Sequence, residues 1–303
     1  MEILSYYHYA GSVNFPQEWR AYYLSKGFKS GGHNVSVITA STHHLQREKI
    51  DQEEDVVYKN VEGINFYWLK VPSYVGNGLA RIKNMFSFAY HSFRIDPVHD
   101  LNIKKPDLII ASSVHPFHLL AAIRWAKKYQ AEVFFEVRDP WPLSLHLLLD
   151  LKKWHPFYLL LNVFQYIGHK YTDKTISLAP NLESYMLKHG LEKGKFIYAC
   201  NGIDTSQKVS QTSILDANLT AIKDKFKRII MYTGSHGIPN ALEYIIEAFN
   251  QLENSGIALV LIGDGKEKLN LQSRSTNTNC YFFPPVAKSE IPRVLSFADI
   301  CII

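Results

Sequence analysis

Short apolar runs alternate with longer stretches whose apolar residues recur at helical spacing, and the two periods exchange along the whole chain. Apolar runs bounded by Gly, Pro, Asp or Ser predict strands, and a 3.6-residue period predicts amphipathic helices. Their alternation predicts βαβ units and a mainly parallel sheet.

Strands are predicted at 3–5, 33–39, 64–71, 108–113 (LIIASS), 132–137 (EVFFEV), 174–178 and 196–199. Helices are predicted from about 17 to 30 and at 79–93, 116–129, 156–171 and 180–189, with a loop over 72–78. The first helix has a broad apolar face built from Trp19, Tyr22, Tyr23 and Phe28, and Gly31-Gly32 supplies its stop. Residues 203–225 break the rhythm with Ser206, Ser210, Thr212, Ser213 and several charges, and read as a linker. The pattern then restarts: strands at 228–234 (RIIMYTG), 258–263 (ALVLIG), 281–285 and 298–303 (ADICII), helices at 239–253 and 289–297. The expected organisation is a lobe over 1–202, a linker over 203–225 and a partial second lobe over 226–303.

A chain of 303 residues with 47% hydrophobic content has room for two ordinary cores. Lys and Arg number 33 against 28 Asp and Glu, a mild excess that favours phosphate-bearing ligands in a general way. No long basic run or zinc-finger spacing points to nucleic acid. Cys200, Cys280 and Cys301 are odd in number and lie in or beside apolar segments, which reads as reduced core thiols. The start MEILSYYHYAG lacks a secretory pattern, and no uncharged run approaches the ~20 residues of a spanning helix, so a cytoplasmic protein is expected.

Motif absences narrow the chemistry. There is no GxGxxG, GxxxxGK[ST], HExxH, CxxC, GxSxG or Asp-x-Asp, so no metal site or cofactor is expected. The strongest local signal is YTGSHGIPN at 232–240, between a predicted strand and helix. Gly234 and Gly237 would let backbone approach a diphosphate, Pro239 suits a first helical turn, and a helix N-terminus offers N–H groups. The plain alternative is a tight turn without ligand. Gly263-Asp264-Gly265 ends the next strand, where parallel sheets place ligands, although such a turn is weak alone.

The layout resembles the retaining glycosyltransferases of family 4, the "group 1" enzymes of GT-B fold, over essentially the whole chain. The matching pieces are the Gly11 loop with SKGFKSGGHNVSVITA, then SSVHPF, VRDPWP, NGID, YTGSHG, LIGDG and PPVAKSEIPRVLSFADICII, in the family's order. The resemblance implies an α/β protein of two Rossmann-like lobes with mainly parallel sheets. It further implies a nucleotide-sugar donor on the second lobe, UDP-sugar by default, and a glycan or lipid-linked acceptor on the first. Transfer would proceed with retention, in bacterial surface polysaccharide synthesis. The donor-binding residues it implies are Gly11, Gly234, Ser235, Gly237, Asn240, Gly263, Asp264, Gly265 and Val286.

His115 matches a first-lobe position that in related enzymes faces the donor sugar; the alternative is a loop histidine capping the following helix. Arg138 and Asp139 follow a strand's carboxyl end and serve either the reaction or a structural ion pair. Two departures stand out. Ser235 and Asn240 occupy the places where many relatives carry an Arg and a Lys for the diphosphate, so backbone N–H groups must do that work or binding is weakened. The family's acidic ribose-binding stretch is expected after ADICII, so the second lobe reads as truncated.

Between Trp141 and Tyr171, Leu, Phe, Tyr and Trp interleave with His146, Lys152, Lys153, His155, His169 and Lys170, the composition of a segment resting on the inner face of a membrane or of ordinary core helices. Two rival readings stay open: a catalytically silent fragment that binds acceptor or partner only, and a two-lobed nucleotide-sugar epimerase.

Overall fold

A computed structural model describes residues 1–11, 18–42, 53–74, 76, 78–113, 115–202, 210–252 and 256–303. The chain divides into two compact units, Met1–Ile203 and Asp204–Ile303. Gln17, Val75, Asn77, Val114, Ile203, Asp204, Ser206 and Glu253, which enter the sequence reading above, lie outside the described residues.

The first unit is built on β1 (Glu2–Tyr7), α1 (Arg20–Ser30), β2 (Asn34–Ala40), β3 (Val56–Val61), β4 (Ile64–Leu69), α2 (Leu79–Arg94), β5 (Leu108–Ser113) and α3 (Leu119–Tyr129). It continues with β6 (Glu132–Val137), α4 (Leu143–Leu149), α5 (Pro156–Tyr171), β7 (Lys174–Ser177), α6 (Glu183–Leu187) and β8 (Phe196–Tyr198). The sheet order is β3-β4-β2-β1-β5-β6-β7-β8, parallel except for β3 against β4. Sequential strands step outward from β1 in one direction and then from β5 in the other, so the order reverses between β1 and β5. Such a reversal opens a crevice beyond the carboxyl ends of those two strands. Helices cover both faces, which is why β5 (LIIASS) is buried at every residue rather than at alternate ones.

The second unit carries α7 (Asp216–Lys225), β9 (Arg228–Thr233), α8 (Leu242–Asn250), β10 (Ile257–Ile262), α9 (Lys268–Arg274), β11 (Cys280–Phe283), α10 (Ile291–Leu295) and β12 (Ile300–Ile302). Its sheet, ordered β11-β10-β9-β12, is parallel throughout, with the reversal between β9 and β12. Both units are α/β with mainly parallel sheets, as the alternating periods predict.

Several elements depart from the expected ones. Residues 216–225 form α7, where composition predicts linker: Leu215, Leu219, Ile222 and Phe226 follow helical spacing and enter the second unit's core. Polar residues between them mask that stripe in the sequence. Strand β3 (VVYKNV) was not predicted, because Tyr58, Lys59 and Asn60 are all exposed on the sheet edge and no alternation shows. It pairs with β4 through a turn at Glu62 and Gly63, with φ of 52° and 80°, the backbone a two-residue hairpin turn requires. Helices α4 and α9 also escaped prediction. The helix expected over 239–253 splits into a 3-10 turn at Ile238–Asn240 and α8, because Ala241 adopts φ 50° between them.

Burial brings three further corrections. The cysteines are free as expected, but Cys200 and Cys301 are exposed rather than in a core. β12, expected as a buried strand, exposes Ile300 and Cys301 while Ile302 packs on the core beside β9. His169, grouped with a surface-facing basic set, is buried against Phe135.

Candidate active site

The first unit presents its candidate chemistry where its sheet order reverses, and the second at the loops after β9 and β10. In the first unit, the carboxyl end of β1 delivers His8 and that of β5 delivers His115, and their rings are hydrogen bonded through His8 Nδ1 and His115 Nε2. His118, at the head of α3, lies edge-on to His115 at 5.3 Å between ring centres, and Phe88 of α2 stacks on His8 at 4.6 Å. All three histidines are buried. Burial, assisted by His118 and Arg81, holds the His115 imidazole well below its ordinary pKa, and burial brings His118 down to about 4. Neutral imidazoles suit hydrogen bonding to hydroxyl groups. His115 caps no helix through its side chain; its ring is engaged by His8 instead.

Beside this cluster lies a buried network that sequence reading missed. Glu136, in the last two residues of β6, accepts hydrogen bonds from Tyr7 Oη at 2.6 Å, Ser112 Oγ at 2.5 Å and Arg20 Nε at 2.9 Å. Arg20, the first residue of α1, turns its remaining donors to the carbonyls of Ala199 and Cys200 and to Asn201 Oδ1, at 2.9 to 3.1 Å. The pair is closed from solvent, with side-chain exposures of 5% and 0%. One ion pair therefore joins the carboxyl ends of β1, β5 and β6 to α1 and to the segment that leaves β8. The available signal was Glu136 itself, a carboxylate among apolar strand residues, which burial obliges to find a charged partner.

Arg138 lies next to this network and pairs with Glu18 at 3.1 Å, so it makes a structural ion pair in the described residues. Burial raises the Glu18 carboxyl and Arg138 opposes that shift. The Gly11 amide donates to Glu18 O at 2.9 Å. Asp139 does not join the histidines; with Trp141 and Ser113 it lines a recess of about 10 Å³, room for about one water.

In the second unit the loops after β9 and β10 are pressed together. A Cβ on Gly263 would lie 1.8 Å from Gly234 O, and one on Gly265 would lie 2.3 Å from His236 O. Their φ values of 151° and 159° also suit glycine alone. The His236 amide donates to Asp264 O at 2.8 Å, and Lys268 Nζ bridges the carbonyls of Gly263 and Phe283 at 2.7 and 3.1 Å. Gly263 and Gly265 thus owe their identity to loop packing. Ser235 O accepts from Tyr232 Oη and from Asn240 Nδ2 at 2.9 and 2.6 Å, so the Asn240 amide holds the loop. Gly237 leads into the 3-10 turn, and Val286 packs on the core rather than in this loop pair. His236 is buried, its pKa lowered by burial and by Lys268 against the pull of Asp264, and neither ring nitrogen has a hydrogen-bond partner among the described residues. His236 was missed because it stands inside a motif defined by its glycines, and Lys268 because it lies three residues beyond one. Among the described residues no group of three or more His, Cys, Asp or Glu is placed to hold a metal.

The sequence profile of Glycosyltransferase Family 4 matches residues 17–207. The chain belongs to that family. It is a glycosyltransferase of GT-B fold. A protein of Escherichia coli named as a colanic acid biosynthesis glycosyl transferase, WcaI, is 25% identical over 282 residues, 88% of this chain and 68% of that protein. Sucrose-phosphate synthase from Thermosynechococcus elongatus superposes with a TM-score of 0.66 at 13% identity, over 99% of this chain and 74% of that one. The catalytic domain of starch synthase IV from Arabidopsis thaliana, bound to ADP and acarbose, gives 0.61 at 14% identity, over 100% and 77%. HepE of Anabaena in complex with UDP-glucose gives 0.59 at 12%, over 99% and 73%.

Replacing Arg20 by Met leaves the Glu136 carboxylate buried without its cation and is expected to cost about 3–5 kcal/mol, measured as a shift in urea unfolding of the whole chain; Arg20→Met with Glu136→Leu should recover much of it. The folded pKa of His118 lies below its ordinary 6.5, so on acidification the unfolded chain takes up a proton that the folded chain refuses. The stability present above that value is lost as the pH falls toward about 4, by roughly 3 kcal/mol for a shift of this size. Thermal melts across this range should show the decline, shared with His169, whose pKa burial also lowers to about 4, and His118→Phe should flatten part of it.

Proposed function

We propose that this glycosyltransferase moves a sugar from a nucleotide-sugar donor, UDP-linked by default, to a glycan or lipid-linked acceptor with retention of configuration, in the building of a bacterial surface polysaccharide. The observation that carries the donor half is the loop pair after β9 and β10. Its glycines bring main chain to the carboxyl ends of the parallel strands, and Lys268 supplies an ammonium there. That cation stands in the region where Ser235 and Asn240 replace the expected Arg and Lys, and N–H groups with one nearby cation suit a diphosphate. The resemblance to WcaI supports the polysaccharide setting.

The acceptor half draws on the neutral histidines at the β1 and β5 ends. Imidazole nitrogens position hydroxyls without adding charge, and in retaining transfer the departing diphosphate can itself take the acceptor proton, so the protein's task is placement and charge stabilisation. No metal or cofactor enters this reading.

We further assign the α4–α5 corner to a membrane surface carrying the acceptor. Leu147, Leu149 and Trp154 are 70%, 68% and 75% exposed, Leu159 and Val163 continue the apolar surface along α5, and Lys152 and Lys153 stand at the turn. Apolar insertion flanked by lysines is the chemistry of an anionic bilayer interface. No helix in the described residues is long and apolar enough to cross a membrane.

Calorimetric titration of the whole chain with UDP, GDP and their sugars should give saturable binding of one nucleotide, weakened roughly tenfold by Lys268→Met; a folded chain that binds none of them refutes the donor assignment. Phosphatidylglycerol vesicles should sediment the protein and blue-shift Trp154 emission while phosphatidylcholine vesicles do neither, and Leu147→Asp with Trp154→Ser should abolish both effects. Equal behaviour on the two lipids would remove the membrane from the proposal.

A further inference from the structure

The β3–β4 hairpin forms an open groove that plays no part in the site described above. Alternation along the antiparallel pair puts Val56 and Tyr58 of β3 on the same side as Asn65 and Tyr67 of β4, with Tyr58 directly opposite Tyr67. This is the side on which Tyr67 and Leu69 pack with Phe88 of α2. The connection that leaves α2 supplies the other wall through Asp100 and Asn102, enclosing about 520 Å³, within the roughly 300–1,000 Å³ of small-molecule sites.

The groove is pre-shaped. Its outer wall is fixed by the Asp96 carboxylate, which accepts from the amides of Val98 and His99 and from Tyr129 Oη, and by Asp100, whose carboxylate accepts from the Asp96 amide at 2.8 Å. On the floor, the Tyr58 and Tyr67 rings lie 5.1 Å apart, Tyr67 buried and Tyr58 53% exposed. Asn65 Oδ1 accepts from both Tyr58 Oη and Asn60 Nδ2, which orients the amide and leaves its Nδ2 to donate.

We infer that this groove binds a neutral oligosaccharide. Tyrosine faces pack against the apolar C–H faces of pyranose rings, while an amide and a carboxylate exchange hydrogen bonds with ring hydroxyls. None of the described residues lining the groove is a cation, and Asp100 repels anions, so the chemistry argues against a nucleotide or another phosphate ester. Its polar lining argues equally against a lipid chain. Asn65 and Tyr67 stand in the first four residues of β4, whereas His8 and His115 follow the carboxyl ends of β1 and β5, so the groove is separate from the histidine cluster. A site so placed would hold a length of glycan away from the reacting end, retaining a polymer between transfers through a second weak contact. This role rests on the proposed glycan acceptor, but the binding itself does not.

Saturation-transfer NMR and calorimetry on the whole chain with cellotetraose, maltotetraose and laminaritetraose test it. At least one should bind at millimolar concentration, Tyr58→Ala should weaken it roughly tenfold, and Tyr58→Phe should keep it within about twofold, both variants melting as the parent does. No binding of any of the three, or binding indifferent to Tyr58→Ala, overturns the inference. Nucleotide titration of the same samples keeps the two proposals apart: oligosaccharide binding that depends on Tyr58 in a chain that takes no nucleotide upholds the groove and refutes the donor site, and the reverse pattern does the opposite.

Discussion

The buried pair of Arg20 and Glu136 is the constraint on which the first unit's working end depends. A parallel sheet ends in strands that must stop, turn and present loops, and apolar packing cannot fix loops. Here a single carboxylate collects the ends of β1, β5 and β6 through Tyr7, Ser112 and its own strand, and a single guanidinium carries that anchor into α1 and the chain at 199–201. Burial of the pair makes each hydrogen bond dear to lose, because a charge left alone in a low dielectric has no water to turn to. The histidines sit beside this lock, on strands whose ends it holds.

The second unit solves the same problem by steric means. Its two loops touch backbone to backbone, with Gly234 O and His236 O standing where any side chain on Gly263 or Gly265 would be. Asn240, Tyr232 and Lys268 then tie off carbonyl groups, so the loop pair is held by its own polar atoms as well as by backbone contact.

Much of this was legible in the sequence, for physical reasons that differ by element. LIIASS, EVFFEV, RIIMYTG and ALVLIG appear as strands because parallel strands are buried on both faces and read as unbroken apolar runs. α3 and α5 appear because their lengths cover several turns of an apolar stripe. β3 and α7 stayed hidden because one lies at an exposed edge and the other dilutes its stripe with charges. Among candidate site residues, the glycines of YTGSHG and GDG were visible as motifs and Glu136 only as a carboxylate in an apolar strand, whereas Arg20, His8 and Lys268 carry no local signature. The exposed Tyr58 was equally invisible, since no alternation marks β3 in the sequence.

The sequence by itself determined the alternation of strand and helix, the parallel sheets that follow from it, and the positions of the glycine turns, because each is encoded in residues near one another along the chain. Only the tertiary structure decided that Glu136 meets Arg20 across 116 residues, that His8 meets His115 across 107, and that Gly263 needs no side chain because Gly234 O is there. Periodicity records which face of an element is buried, but not what lies against it. Ion pairs, neutral histidines and forbidden Cβ positions are properties of that second surface, and they exist once strand order brings distant strand ends together.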